Sequence, residues 1–149
     1  MSLHIRDYNS FRLFKTGKNI RETFRLRIEK QGVTAGHAMI LHVLSDFECL
    51  SQVQMAKKLG ITPASISTLI QSMKKEDLIN RVPDPKDERI MLTTLTEKGK
   101  TQAVIVTNAW EEVEAVFKQH YSDEEYLLLK TLLDKANTPL EDEEVHHES

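Results

Sequence analysis

The chain has 149 residues, 40% hydrophobic and 29% charged, with a formal net charge of -3, which fits one globular domain able to bury roughly 68–70% of its unfolded surface unaided. A single cysteine, Cys49, excludes an internal disulfide; with no apolar leader in MSLHIRDYNSFRLFKTGK and no run near the roughly 18 apolar residues of a membrane span, a cytoplasmic protein with no membrane partner is expected. The net charge conceals an asymmetry: residues 1–100 hold 17 Lys+Arg against 11 Asp+Glu, and residues 101–149 hold 3 against 12, so the first two thirds are basic enough to face a polyanion.

Along the chain, Ile5, Tyr8, Phe11, Phe14, Ile20, Phe24 and Ile28 recur at an imperfect helical spacing with basic residues between them, which predicts a long amphipathic helix with a break near Gly17. Gly32 ends it and Thr34 can cap the next, a mostly apolar helix over about 34–46 carrying Ala38, Ile40, Leu41 and Leu44. Ser51 followed by Gln54 has the spacing of a capping box and opens the short helix QVQMAKKL, which stops at Gly60. Thr62 and Pro63 then start another helix, since threonine caps well and proline suits the first turn. Its apolar stripe is Ile66, Leu69, Ile70 and Met73, leaving small neutral residues elsewhere.

Two short helices joined by a tight glycine-containing turn match the helix-turn-helix plan, whose second helix enters the DNA major groove. Ala56 is small where the helices must approach, Gly60 suits a left-handed turn, and Ile66 is placed to plug the space between them. The stretch RVPDPKDERIMLTTLTEKGK, residues 81–100, reads as a proline-stiffened charged hairpin running into a helix opened by Thr96. After a helix-turn-helix such a hairpin is a wing, able to send a cation into the flanking minor groove. Arg89, at its tip, is the candidate cation, and Asp87 is placed to hold Arg89 or Arg81 by a charge-assisted hydrogen bond. A long helix with Val104, Val106, Trp110, Val113, Val116 and Phe117 follows, then a capping box of Ser122 with Glu125 and a last helix ended by Pro139. The remainder, residues 140–149, is acidic and is expected to be disordered.

With KKLGITPASISTLIQSMKKEDLI, DPKDER and LTEKGK in this order, the chain resembles the multiple-antibiotic-resistance regulator (MarR) family, in motif detail over about residues 33–100. The resemblance implies a mainly α fold with a small β-hairpin wing: one domain over 1–139, with a winged helix-turn-helix over about 33–100 and dimerisation helices over about 1–30 and 101–138. It implies a homodimer on a pseudo-palindromic double-stranded DNA operator, acting as a repressor released by a small-molecule effector, often an anionic aromatic. Carried over by position, the DNA contacts are Thr62, Pro63, Ala64, Ser65, Ser67, Thr68 and Gln71 on the recognition helix and Lys86, Asp87 and Arg89 on the wing. Phe24, His37, His42 and Trp110 are the candidates for an effector pocket, although His37 and His42 also suit a hydrogen-bonded core. Three departures stand out. Thr68 and Ser72 occupy positions where the family usually has arginine, so a bidentate guanine reader and strong phosphate anchors are missing there. Asp77 replaces the glycine of the family's GLI, where a left-handed turn is expected to be kept at some cost because aspartate tolerates that conformation better than most residues, and the wing's Lys86 is offset by Asp84, Asp87 and Glu88.

Other chemistries fit less well. His37 and His42 lie five residues apart, about 140° around a helix rather than on one face, and His146 and His147 sit in the acidic tail, so no metal site is expected. Cys49 lies between Asp46, Glu48 and Leu50, where local charge opposes the thiolate a redox sensor needs. There is no glycine-rich phosphate loop, no Gly-x-Ser-x-Gly elbow and no convincing carboxylate pair, so neither an enzyme nor a cofactor is expected. The readings that compete with a DNA-binding regulator are a winged helix used only for protein contacts, favoured by the uncharged recognition helix, and a redox- or metal-responsive regulator.

Overall fold

Helix boundaries follow the capping residues closely. The computed structural model describes residues 4–146, with side chains described over 4–137, and forms two compact units, residues 1–113 and 114–149. In the first unit a 3-10 turn, Ile5–Asp7, precedes α1 (Asn9–Lys30). The interruption therefore falls at Tyr8, and α1 runs unbroken through Gly17 where a break was expected. A single exposed glycine costs a helix only about 1 kcal/mol relative to alanine, which the flanking turns absorb.

Next come α2 (Ala35–Phe47), a short strand β1 (Cys49–Ser51), α3 (Gln52–Leu59) and α4 (Pro63–Lys75). Thr34 caps α2 by accepting from the His37 amide. Ser51 and Gln54 form the reciprocal capping box of α3, and Gly60 closes that helix with φ +61°. Thr62 caps α4 with Pro63 in the first turn. Ile66, Ile70 and Met73 are buried from α4, Met55 and Ala56 from α3, and Ile40, Leu41 and Leu44 from α2. These residues belong to one apolar cluster, so the helix-turn-helix is held by burial of its predicted stripe.

The wing is β2 (Ile79–Asp84) and β3 (Asp87–Leu95), and the sheet order is β1-β3-β2, all antiparallel. β1 went unread in the sequence because three residues are too few to show a period of two, and because Ser51 also serves as a helix cap. The β2–β3 register is regular from Ile79↔Leu95 to Pro83↔Met91 and then jumps to Asp84↔Asp87. Glu88, Arg89 and Ile90 are thus left without partners on β2. Pro83 supplies no amide at the point of the jump, so the ladder has nothing to continue with there.

α5 (Glu97–Lys118) begins against the end of α4. The Thr96 hydroxyl donates to the Asp77 carbonyl at 2.7 Å and accepts from the Gly99 amide at 3.0 Å. The Thr96 amide donates to Leu78 O at 3.1 Å, and Lys98 Nζ donates to Glu76 O at 2.6 Å. A Cβ on Gly99 would lie 2.0 Å from the Leu78 carbonyl oxygen, so only glycine fits. Asp77 turns the chain out of α4 at φ +58°, as expected where the family pattern has glycine. Further along α5, Ala103, Val106, Ala109 and Val113 are buried while Val104 and Trp110 are exposed.

In the second unit, Ser122 and Glu125 form their capping box and start α6 (Asp123–His146). This helix does not stop at Pro139, and residues 140–146, expected to be disordered, lie within it; residues 147–149 lie outside the described residues. Proline removes one amide donor and crowds the carbonyl four residues back, which weakens a helix without forbidding it when Leu and Glu, good helix formers, follow. Among its described side chains, Leu127, Leu128, Leu132 and Leu133 are exposed.

Two substitutions at this junction should move stability in opposite directions in a denaturant melt. Gly99→Ala gains up to about 1 kcal/mol of helix propensity but forces the Leu78 carbonyl aside, an overpacking cost that outweighs it, for a net loss of about 2 kcal/mol. Asp77→Gly relieves the positive φ at some entropic cost and should range from neutral to about 1 kcal/mol more stable; a clear loss would mean that the Asp77 side chain has a structural partner.

Candidate nucleic-acid interface

The exposed surface of α4 is built from residues that the apolar stripe leaves over. Ala64, Thr68, Gln71 and Lys75 succeed one another at helical spacing and are all exposed, with Thr62, Pro63 and Ser65 beside the first turn. Most of the hydroxyls here are already engaged. The Ser65 amide donates to Thr62 Oγ1 at 3.2 Å, the two hydroxyls are paired at 2.9 Å, and Thr68 Oγ1 donates to the Ala64 carbonyl at 3.2 Å. What this face offers outward is therefore methyl groups, oxygen lone pairs and the Gln71 amide. Methyls can pack on the thymine methyl and glutamine can bond adenine in a bidentate manner. Ser67 is only half exposed, and Ser72 turns inward, its Oγ 3.1 Å from His37 Nε2.

Arg89 projects from the unpaired bulge of β3, next to the Pro85–Lys86 turn rather than at its apex. Its side chain is 90% exposed, yet its direction is set. Nε donates to Asp87 Oδ1 and Nη2 to Asp87 Oδ2, both at 2.9 Å, while its amide donates to Oδ1 at 3.1 Å. Of the two arginines considered for Asp87, Arg89 is therefore the partner. Asp87 is held below the usual carboxylate range first by the Arg89 side chain and then by the Arg89 amide, and the Arg89 guanidinium is held above its ordinary value by Asp87. Asp84 turns to the backbone, accepting from the Lys86 amide at 2.8 Å, so two of the acids that offset Lys86 are occupied. Arg81 lies across from Thr93, and its Nε and the Thr93 hydroxyl are buried without partners among the described residues.

Lys57, Lys74 and Lys75, exposed in the last turns of α3 and α4, are not among the expected contacts, although cations favour the negative end of a helix. That position was the available signal. Lys58, beside them, is drawn over the Phe47 ring, 3.6 Å from its centroid.

The four effector candidates do not converge. Phe24 and Trp110 stack, their centroids 4.3 Å apart at 20°; His37 is buried against α4; and His42 is exposed, 3.8 Å from Asp46. None of them lines the cleft of about 640 Å³ bounded by Leu44, Ser45, Glu48, Thr94, Leu95 and Lys100 with the first turns of α5. Cys49 is exposed on β1. Among the described residues no three of His, Cys, Asp and Glu stand close enough to hold a metal ion.

Comparison with known proteins bears on this geometry. A family model described as MarR family matches residues 31–90. The HTH-type transcriptional repressor MdtR of Bacillus subtilis is 25% identical over 100 residues, 67% of this chain and 64% of its own, so the chain spans a little under two thirds of that relative. Among solved structures, Bordetella bronchiseptica BpsR, whose DNA binding is described as regulated by 6-hydroxynicotinic acid, superposes with TM-score 0.78 at 23% identity, over 92% of this chain and 98% of that one. A mutant of Escherichia coli MarR complexed with operator DNA gives TM-score 0.73 at 18% identity, over 91% and 99%. At these identities the structures establish the winged-helix fold.

The Asp87–Arg89 pair can be checked without any ligand. The Asp87 carboxyl should titrate below the usual carboxylate range by carbon NMR, and Arg89→Ala should move its midpoint up, though not fully, since the amide at position 89 still donates. Because the folded value is depressed, the pair is intact at neutral pH and is lost as pH falls through that midpoint. An unmoved midpoint in Arg89→Ala would mean that the two groups do not pair.

Proposed function

We propose that this chain, which belongs to the MarR family through residues 31–90, is a transcription regulator that binds double-stranded DNA with α4 in the major groove and Arg89 in the flanking minor groove. The observation that carries this reading is Arg89: an almost fully exposed guanidinium aimed by a bidentate carboxylate, in a bulge that frees its neighbours from the sheet. A narrow minor groove attracts such a cation, and an arginine already oriented loses less entropy on entering it. The neutral outer face of α4 is compatible with base contacts through Thr68 and Gln71, while Lys57, Lys74 and Lys75 are available to phosphates.

The rest of the reading is a homodimer on a pseudo-palindromic operator, acting as a repressor released by a small-molecule effector. Exposed Ile5, Tyr8, Leu13 and Phe14 near the start of the chain, and the exposed leucines of α6, support a second copy, since such apolar side chains favour burial. The cleft beside Lys100 supports the effector: its volume is that of a small-ligand site, and its walls include both β3 of the wing and α5. An aromatic anion seated there packs on Leu44 and Leu95, competes with Glu97 for the Lys100 ammonium, which now donates to Glu97 Oε1 at 2.7 Å, and biases the wing. The exposed part of the Phe24–Trp110 stack is a second aromatic surface for such a ligand.

Fluorescence anisotropy on an operator mapped beside the chain's own gene, across a salt series, tests DNA binding. Arg89→Ala should weaken binding at least about tenfold, or roughly 1.4 kcal/mol, and lower the salt slope by about one phosphate-equivalent while leaving the melt unchanged. Equal affinities and slopes would favour a winged helix used for protein contacts. Assembly is tested separately: equilibrium sedimentation at micromolar concentration should return twice the 17.2 kDa chain mass, and a monomer mass would contradict two-half-site binding.

A further inference from the structure

His37 is a polar side chain that the DNA-facing surface does not use, and it is only 4% exposed. Burying an imidazole is costly unless its nitrogens find partners. Nε2 has one, the hydroxyl of Ser72 at 3.1 Å, while Nδ1 stands 3.9 Å from the Glu76 carboxylate, beyond hydrogen-bond reach. Ser72 and Glu76 lie at and just beyond the end of α4, and Ser72 immediately follows Gln71 of the outward face. The residue before His37 makes the same approach: a Cβ on Gly36 would lie 2.6 Å from Leu69 Cδ2. The first turn of α2 therefore presses on α4 at two consecutive positions, one apolar and one hydrogen-bonded.

These two contacts differ in what they constrain. Apolar packing of Ile66, Ile70 and Met73 sets how far α4 stands from the core but is nondirectional. A hydrogen bond from a side chain locked in the core is directional, and it resists rotation of α4 about its own axis. With side-chain tips about 5 Å from a helix axis, a 20° rotation carries them about 2 Å, enough to break a bond to a base edge.

We propose that His37 is a positioning residue for DNA recognition: its bond to Ser72 sets the rotation of α4 and so presents Ala64, Thr68 and Gln71 to the groove. This rests on the regulator reading above. It also gives Ser72 a role different from the phosphate-anchoring arginine that the family pattern suggests at that position, for its hydroxyl points inward.

The experiment compares wild type with His37→Leu, His37→Gln, Ser72→Ala and the double variant His37→Leu/Ser72→Ala, at a temperature where melts show each to be folded. His37→Gln is the conservative variant, because its terminal amide reaches about where Nε2 lies. Anisotropy on the mapped operator and on a random duplex is the readout. His37→Leu and Ser72→Ala should each weaken operator binding about tenfold with little change on the random duplex or in salt slope, the double variant should be no weaker than the weaker single, and His37→Gln should stay within about threefold of wild type. Should His37→Leu fail to fold, Ser72→Ala carries the same expectation. Wild-type operator affinity in a folded His37→Leu or Ser72→Ala, additive losses in the double variant, or no rescue by glutamine would each overturn the proposal. If wild type binds no duplex DNA, the regulator reading fails, and the orientation claim is then judged by the amide resonances of Ala64, Thr68 and Gln71. Shifts in His37→Leu restored by His37→Gln would support it, and unmoved resonances would overturn it.

Discussion

Where α4 ends and α5 begins, the backbone of Leu78 comes so close to Gly99 that no side chain can stand between them. Three hydrogen bonds close the same junction, two through Thr96 and one through the Lys98 ammonium, and all end on carbonyls at residues 76–78. Those carbonyls belong to the segment that leaves the C-terminus of α4, where acceptors go unsatisfied unless something outside the helix meets them. The start of one helix thus supplies donors to the end of another. Between the two lies the whole wing, a loop whose ends this junction pins together. The end of α4, the base of the hairpin and the first turn of α5 are consequently tied to one another.

Within that frame the exposed surfaces divide the labour. The outward face of α4 shows methyl groups, oxygen lone pairs, the Gln71 amide and, at its end, the Lys75 ammonium, its hydroxyls being largely engaged by its own backbone and caps. Charge comes from the periphery: lysines at the ends of α3 and α4, and Arg89 on the wing. Asp87 would repel a polyanion if free, but with both its oxygens bound by Arg89 it serves chiefly to aim a cation. An exposed ion pair of this kind adds little to stability, with a typical worth of about 0–1 kcal/mol. Its significance is conformational: in the reading proposed above, an arginine already held loses less rotamer freedom on entering a groove than one on a mobile loop.

The body of α4 is constrained differently. Thr62 and Pro63 fix where it begins, while α2 meets its C-terminal half through Gly36 against Leu69 and His37 against Ser72. α4 is therefore gripped at its start, along its inner face and at its end, by three unrelated devices: a cap, a buried polar contact and a glycine close approach.

The positive φ at Asp77 was implied by the family pattern, which has glycine there, whereas most helix starts and stops, the helix-turn-helix and the existence of the wing could be determined from the sequence alone. Each rests on interactions spanning two to five residues: a hydroxyl accepting an amide three positions on, a proline in a first turn, an apolar stripe at helical period. Such signals are complete within a short window. What only the tertiary structure decided involves partners far apart in the chain or competing local tendencies. Asp87 had two arginines to choose between until the bulge set Arg89 beside it, while Arg81 takes its place across from Thr93. His37 could as well have lined a pocket as paired with a serine 35 positions away. β1 is a strand because β3 is beside it, and α6 passes Pro139 because the following residues favour helix strongly enough. Gly99 looks like an ordinary helical glycine until Leu78, 21 residues earlier in the sequence, is folded against it; that contact is a property of the assembled fold, and no window on the sequence contains it.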